Sequence, residues 1–323
     1  MHTPSTSNPE PSPSVERGID GSDSVWIPGG TFLMGSDRHY PEEAPAHNVM
    51  VGGFWIDRHT VTNRQFQRFV EETGHVTLSE KPARAEDYPG ALPDMLAPSS
   101  VVFKKPVTPV DMRNAYNWWT YVKGANWRHP RGPGSSLEGL EDHPVVHVGF
   151  DDAEAYAKWA GKVLPTEAEW EFAARGGIEG AEYVWGDDYM PGGKAMANTW
   201  QGPFPYQNTL VDGFEWTSPV GTFPPNAYGV YDMAGNVWEW TTDWYQEHGQ
   251  ITRSCCTLDN PRGGDRDRSV DPRDQIRIPR RVMKGGSYLC APNYCLRYRP
   301  AARMAQAIDT ATCHVGFRCI VRG

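Results

Sequence analysis

The chain has 323 residues and a formal net charge of −9, and its 31 Lys and Arg against 40 Asp and Glu exclude a protein built to grip phosphate backbones. With 33 Gly and 28 Pro, long helices are interrupted throughout, which excludes a helical bundle and predicts short elements joined by turns. The 13 Trp, 14 Tyr and 11 Phe predict a core in which rigid aromatic rings replace much of the aliphatic packing.

Residues 1–21 are rich in Pro and Ser, hold almost no large apolar side chain, and are expected to form a disordered tail, since they cannot bury enough surface to offset the entropy of ordering. The opening MHTPSTSNPEPSPS has neither the basic nor the apolar region of a secretion signal, and no apolar run is long enough to span a membrane, so a cytoplasmic protein is expected. Short apolar runs bounded by Gly and Pro predict strands at 25–27, 31–34, 54–56, 145–148, 287–289 and 315–321. Three helices are announced by capping boxes: Thr62 with Gln65, Asp151 with Glu154, and Thr166 with Glu169, ending near Gly74, Gly161 and Gly176. No repeat and no second linker interrupts the run, so residues 22–323 are expected to form a single irregular α+β domain with low secondary-structure content.

The six cysteines, Cys255, Cys256, Cys290, Cys295, Cys313 and Cys319, crowd into the last quarter of the chain, too sparse and lopsided for a disulfide framework. Cys290 and Cys295 stand five positions apart, which on a helix or a strand would send their side chains in different directions. Ala291-Pro292-Asn293 between them supplies turn residues that can bring the sulfurs together. Lys284, Arg297 and Arg299 lie nearby in sequence, and positive charge favours the thiolate. Two soft thiolates without a histidine beside them suit Cu(I), whereas structural zinc wants four ligands. Two ordinary buried cysteines, or a local disulfide, satisfy the same spacing. His143 and His147 have the spacing of residues on one face of a strand, where packing or capping is the simpler role. The adjacent Cys255 and Cys256 receive no assigned role.

KGGSYLCAPNYCLRYRPAAR at 284–303, GNVWEWTTDWY at 235–245, GKVLPTEAEWEFAARGG at 161–177, VKGANWRHPRGP at 122–133 and HPVVHVGFDDAEAYAKWAG at 143–161 resemble the formylglycine-generating enzymes, also called sulfatase-modifying factors. The resemblance runs from about Val25 to Arg322. The Trp-rich and LPTEAEWE stretches are shared with binding modules and sulfoxide synthases of the wider family, while the cysteine pair is particular to the oxidases.

What the resemblance implies is a variant of the C-type-lectin fold, with Cu(I) held between Cys290 and Cys295 in a surface groove. It implies an oxidase that consumes O2 and a thiol reductant, and converts the cysteine of a Cys-x-Pro-x-Arg segment in an unfolded sulfatase polypeptide to Cα-formylglycine. Ser287 and Tyr294 match residues lining the oxygen and substrate pocket, and Trp238 matches a tryptophan beside it. Asn198, Thr199, Asp212 and Phe214 match one structural Ca²⁺ site, and Asp232, Gly235, Val237 and Glu239 a second. The positions of the half-cystines in secreted members hold Ala157, Ala174 and Pro300, and Cys319 lacks its partner, which agrees with a bacterial-type member in a reducing cytosol. A monomer without nucleic-acid or membrane partners is expected. A catalytically silent relative that binds a peptide or sugar in the same groove is the competing reading, and the presence of both cysteines favours the oxidase.

Overall fold

The computed structural model describes residues 15–18, 21–250 and 257–323, so Cys255 and Cys256 lie outside the described residues. Helix accounts for 16% and strand for 21%, the mixed, loop-rich α+β architecture that the Gly and Pro content predicted. Helices α1 (Asn63–Thr73) and α3 (Glu167–Arg175) begin at the expected capping boxes. Thr62 accepts from the Gln65 amide while Gln65 Oε1 accepts from the Thr62 amide, and Thr166 and Glu169 reciprocate in the same way. Gly74 and Gly176 terminate these helices in the left-handed region. Helix α2 (Phe150–Trp159) is capped two residues before the expected cap Asp151. Gly149 is its N-cap, and Asp152 rather than Glu154 reaches back, accepting from the Gly149 amide at 2.9 Å while also binding the Leu78 amide and His75.

The described residues form four small sheets. Val15–Arg17, Asp23–Ile27, Phe54–Asp57 and Ile320–Arg322 form one, in that order. Its first strand falls inside the segment expected to be a tail: Val15 pairs with Val25 and Arg17 with Asp23, so ladder hydrogen bonds order residues that composition alone left free. The second sheet runs Arg303–Ala307, Arg280–Lys284, Trp238–Trp244, Val315–Gly316. Gly30–Met34, His47–Val51 and Leu258–Asp259 form a third, and Ser99–Phe103 with Trp119–Lys123 a hairpin.

Three expected strands are corrected. Residues 145–148 belong to no ladder: the Val145 amide bonds Val61 O, the His147 amide bonds Thr312 O, and His147 adopts φ 61°, which breaks an extended path. Residues 287–289 form a turn, because Gly285 and Gly286 before them take φ of 95° and 70°. A Cβ on Gly286 would lie 2.8 Å from Arg297 O, so this close approach needs glycine as well. Residues 315–321 divide, Val315–Gly316 pairing with Trp238–Trp244 and Ile320–Arg322 with Phe54–Asp57, so that one stretch ties two sheets together.

The core consists of two clusters. The larger packs Trp127, Trp170, Trp238, Trp240 and Tyr156, and includes Cys290 and Cys295. The smaller gathers Trp118, Trp200, Phe204 and Tyr288, and includes Leu289 and Ala291. The cysteine turn is thus stitched into both, and each fully buried large side chain contributes about 1.5–3 kcal/mol toward holding it.

Candidate active site

The expected turn between the cysteines is a single tight loop in which the Tyr294 and Cys295 amides both donate to Ala291 O, at 3.0 and 2.8 Å. Upstream, the Cys290 amide donates to Ser287 O at 2.9 Å, and Cys290 O accepts from the Trp200 amide at 3.0 Å. These bonds aim both thiols at the same point: the sulfurs are 3.1 Å apart, buried and unbridged. They lie at the wall of a cavity of about 480 Å³ that also takes in Trp238, Ser287 and Tyr294. Three backbone bonds within the turn gather Ser287, Cys290, Tyr294 and Cys295, and the strand that carries Trp238 brings the fifth residue of the expected catalytic set to the same cavity.

Each residue has a distinct setting. Ser287 is buried, its Oγ accepting from the Leu289 amide while its own amide points at Cys290 Sγ, 3.4 Å away. Tyr294 is 41% exposed and stacks flat on Phe204, centroids 4.2 Å apart, so the cavity rim is rigid. Trp238 is buried on its strand, its amide held by His314 O at 2.8 Å.

Of the three nearby basic residues, only Arg297 reaches the sulfurs, with Nη1 3.9 Å from Cys295 Sγ. Lys284 turns into the core and pairs with Glu171 at 2.9 Å, and Arg299 is bound by Glu43 at 2.9 Å. Both charges are consumed by buried carboxylates far away in sequence. The two thiols consequently differ. The Cys290 thiol is pushed well up, first by burial, whereas the hydrogen bond from Cys290 and the Arg297 guanidinium bring Cys295 down to about 7. Of the two, Cys295 is the thiol that its surroundings favour in the anionic form.

The cavity wall adds residues the sequence reading did not single out. Tyr116, Trp119 and Tyr121 arrive from the 115–121 segment, and Gln306, Thr312 and His314 from the 306–314 segment. His314 lies against Trp119 with centroids 4.9 Å apart, and its Nδ1 is fixed by Thr312 Oγ1 at 2.6 Å. The aromatic run Tyr116, Trp118, Trp119 and Tyr121 was the sequence signal available for this wall. His143 and His147 do not converge on the cavity: His143 meets Thr217 Oγ1 at 3.0 Å, and buried His147 meets Ser100 Oγ and Pro130 O at 2.7 and 2.8 Å.

The two expected calcium sets differ in what they can offer. In the first, Asn198 Oδ1 is buried without a hydrogen-bond partner among the described residues. Asp212, its carboxyl raised by burial, accepts from the Thr199 and Phe214 amides at 3.0 Å each. An orphaned buried oxygen beside a desolvated carboxylate fits a hard cation. In the second, Glu239 spends both oxygens on Arg318 at 2.7 Å each and accepts from Trp170 Nε1 at 2.8 Å. Arg318 also takes Tyr231 O at 2.9 Å, so a guanidinium already supplies the positive charge on that side, and the second set does not fit a calcium ion. Asp232 binds the Gly221 amide at 2.8 Å and the Gly235 amide goes to Gly285 O, leaving Val237 as a packed core residue.

For the cysteine site, the donor set itself is the test. Two thiols converge with no histidine or carboxylate bonded to either, and no group of three or more His, Cys, Asp or Glu side chains suited to a metal occurs among the described residues. That pair fits a soft, low-coordinate ion and not a tetrahedral zinc.

Residues 9–322 match the family of the sulfatase-modifying factor enzyme 1-like domain. A formylglycine-generating enzyme of Mycobacterium tuberculosis is 52% identical over 299 residues, covering 92% of this chain and 96% of that protein. One of Thermomonospora curvata is 45% identical over 299 residues, covering 91% and 92%. Among solved structures, PvdO from Pseudomonas aeruginosa superimposes with a TM-score of 0.64 over 98% of this chain and 100% of its own at 23% identity, which shows a shared fold. With the match running almost end to end and the cysteine turn formed, the chain belongs to the sulfatase-modifying factor enzyme 1-like family.

Proposed function

We propose that this protein is a formylglycine-generating oxidase that converts the cysteine of a Cys-x-Pro-x-Arg segment in a newly made sulfatase to Cα-formylglycine, in the cytoplasm. The observation that carries the reading is the pair of sulfurs 3.1 Å apart at the wall of a cavity large enough for a side chain to enter. Cys290 and Cys295 would hold Cu(I), which when bound supplies the reduction of O2, with a thiol as the source of reducing equivalents.

The residues around it have definable tasks. Arg297 Nη1 stabilises Cys295 as thiolate, keeping a soft anionic ligand available near neutral pH. Burial of both sulfurs and the aromatic rim exclude water, which protects an oxygen-reactive site from side reactions. Ser287 fixes the turn before Cys290 through the Leu289 amide, and Tyr294 faces the space where the substrate cysteine would enter. Gln306, Thr312 and His314 offer hydrogen bonds to the backbone of an extended peptide, while Tyr116, Trp119 and Tyr121 offer apolar faces to its side chains. Such a groove reads an unfolded segment, which agrees with modification before the sulfatase folds.

A structural Ca²⁺ ion at Asn198, Thr199, Asp212 and Phe214 belongs to the same proposal, supported by the unpartnered Asn198 oxygen. No helix among the described residues is long and apolar enough to cross a membrane. The test is incubation with copper, a thiol, O2 and a short Cys-x-Pro-x-Arg peptide, read by mass spectrometry. Loss of the thiol and appearance of the aldehyde is expected; an unchanged peptide under oxygen-saturated conditions with copper bound refutes the proposal. A folded sulfatase whose cysteine is buried should be refused.

A further inference from the structure

Tyr298 follows the cysteine turn and takes no part in the chemistry described above. It is fully buried and packs in the same cluster as Cys290 and Cys295. Its hydroxyl makes no well-formed hydrogen bond, interacting only weakly with the Tyr189 side chain. A buried hydroxyl that poorly satisfied costs stability that phenylalanine would not, so packing alone does not account for it.

From Tyr298 a series of oxidisable rings leads outward. Tyr189 lies 5.3 Å away and Tyr183 6.0 Å, the latter nearly parallel at 17°. Tyr183 and Tyr189 are 5.6 Å apart, and Tyr183 stacks on Trp185 at 5.3 Å with an 8° interplanar angle. These spacings are those of rings in contact. Exposure rises along the series, from buried Tyr298 to the half-buried Tyr183, Tyr189 and Trp185. On the other side of the cysteines Tyr294 stacks on Phe204 and meets the buried Trp118 edge-on at 5.7 Å, so oxidisable rings lie there too, and it is Trp185 modification that reports on the Tyr298 side.

We propose that Tyr298, Tyr189, Tyr183 and Trp185 form a one-electron relay that drains oxidising equivalents from the Cys290–Cys295 site to the surface when O2 is reduced there with no substrate cysteine in place. This rests on the oxygen-consuming reading of the site. The oxidant is a partly reduced, oxygen-derived species at the cysteines. Tyr298 gives it one electron together with its hydroxyl proton and becomes a neutral phenoxyl radical, so the oxygen-derived species is reduced by one hydrogen equivalent and no separate proton acceptor is needed. Tyr183 returns an electron and a proton to Tyr298, directly or by way of Tyr189, and Trp185 gives an electron and its indole N–H proton to the Tyr183 radical, becoming a neutral radical itself. A thiol in solution gives the Trp185 radical an electron and a proton, and two thiyl radicals couple to a disulfide. The relay thereby spares Cys290 and Cys295 from oxidation to sulfinic and sulfonic acids.

The test uses the full chain loaded with copper, with O2, limiting thiol and catalase but no peptide substrate, followed by oxygen uptake and peptide mapping by mass spectrometry. Hydroxylated Trp185 and a Tyr183–Tyr189 cross-link are expected. Tyr298→Phe keeps the ring and removes the oxidisable group, so Trp185 modification should fall to background and oxidation should move to Cys290 and Cys295. Trp185→Phe should shift modification inward to Tyr183 and Tyr189 while peptide conversion persists. Oxygen uptake with an unmodified relay, or Trp185 oxidation unchanged in Tyr298→Phe, overturns the relay alone. Absence of oxygen uptake overturns it together with the oxidase reading.

Discussion

Replacing Glu239 by Gln tests which positive group this carboxylate serves. Glu239 and Arg318 are both fully buried and joined by two bonds of 2.7 Å, with Trp170 Nε1 adding a third at 2.8 Å. Breaking a buried pair from one side leaves an uncompensated guanidinium and costs about 3–5 kcal/mol. Gln can still accept from Trp170, so the loss should fall near the lower end of that range. Urea unfolding of wild type and variant, each with and without a strong calcium chelator, gives four stabilities. If Arg318 is the partner, the variant is destabilised by the same amount in both conditions. The double replacement Glu239→Gln with Arg318→Met should then recover part of the loss, because no buried charge is left unpaired. If calcium were the partner instead, chelation of wild type would reproduce the loss and the variant would no longer respond to the chelator. A variant within about 1 kcal/mol of wild type, inside the range of an ordinary substitution, refutes the reasoning outright.

Ser in place of Cys290 or Cys295 should abolish both tight copper binding and formylglycine formation, measured by metal analysis and peptide mass spectrometry; full copper occupancy with activity in either variant rejects the site. Chelation, or Asp212→Ala, should lower the unfolding temperature if an ion knits Asn198 to Asp212, since a ligand bound only to the native state stabilises it; an unchanged melt of calcium-free protein rejects a structural ion. Asp243 is buried and capped onto the Glu167 amide, and burial, then the neighbouring Glu167 charge, push its carboxyl from 3.8 up to about 7. The native state therefore holds a proton that the unfolded chain releases, and this group's contribution to stability, full at pH below 3.8, is lost as pH rises to about 7. Asp243→Asn should gain stability relative to wild type across that window in denaturant titrations, and a pH-independent difference would contradict it.

Local rules placed what local bonds hold. Thr62 and Thr166 cap their helices and Gly74 and Gly176 end them, because the partners of each cap lie within four residues. The turn through Ala291-Pro292-Asn293 closes as its residues demand, and with it Cys290 and Cys295 meet. Strands were less legible. The 145–148 run is apolar because it is buried, but its amides go to Val61 and Thr312 and not to a ladder, and no periodicity distinguishes those two fates.

The sequence places three cations near the cysteines but does not say which of them meets a sulfur. Arg297 is the nearest of the three in the chain, two residues from Cys295, and it too pairs with a carboxylate, Glu42 at 2.5 Å, but Glu171 and Glu43 draw Lys284 and Arg299 fully away and leave Arg297 as the one of the three that still meets a sulfur. The second calcium set changes character for the same reason, since Arg318 reaches Glu239 across the core. The cysteines and the bend between them were written in sixteen consecutive residues, because a turn is a local object. The cavity wall, assembled from 115–121 and 306–314, and the choice of which charges survive near the thiols, depend on which distant residues share the interior, where low dielectric makes each pairing strong and exclusive.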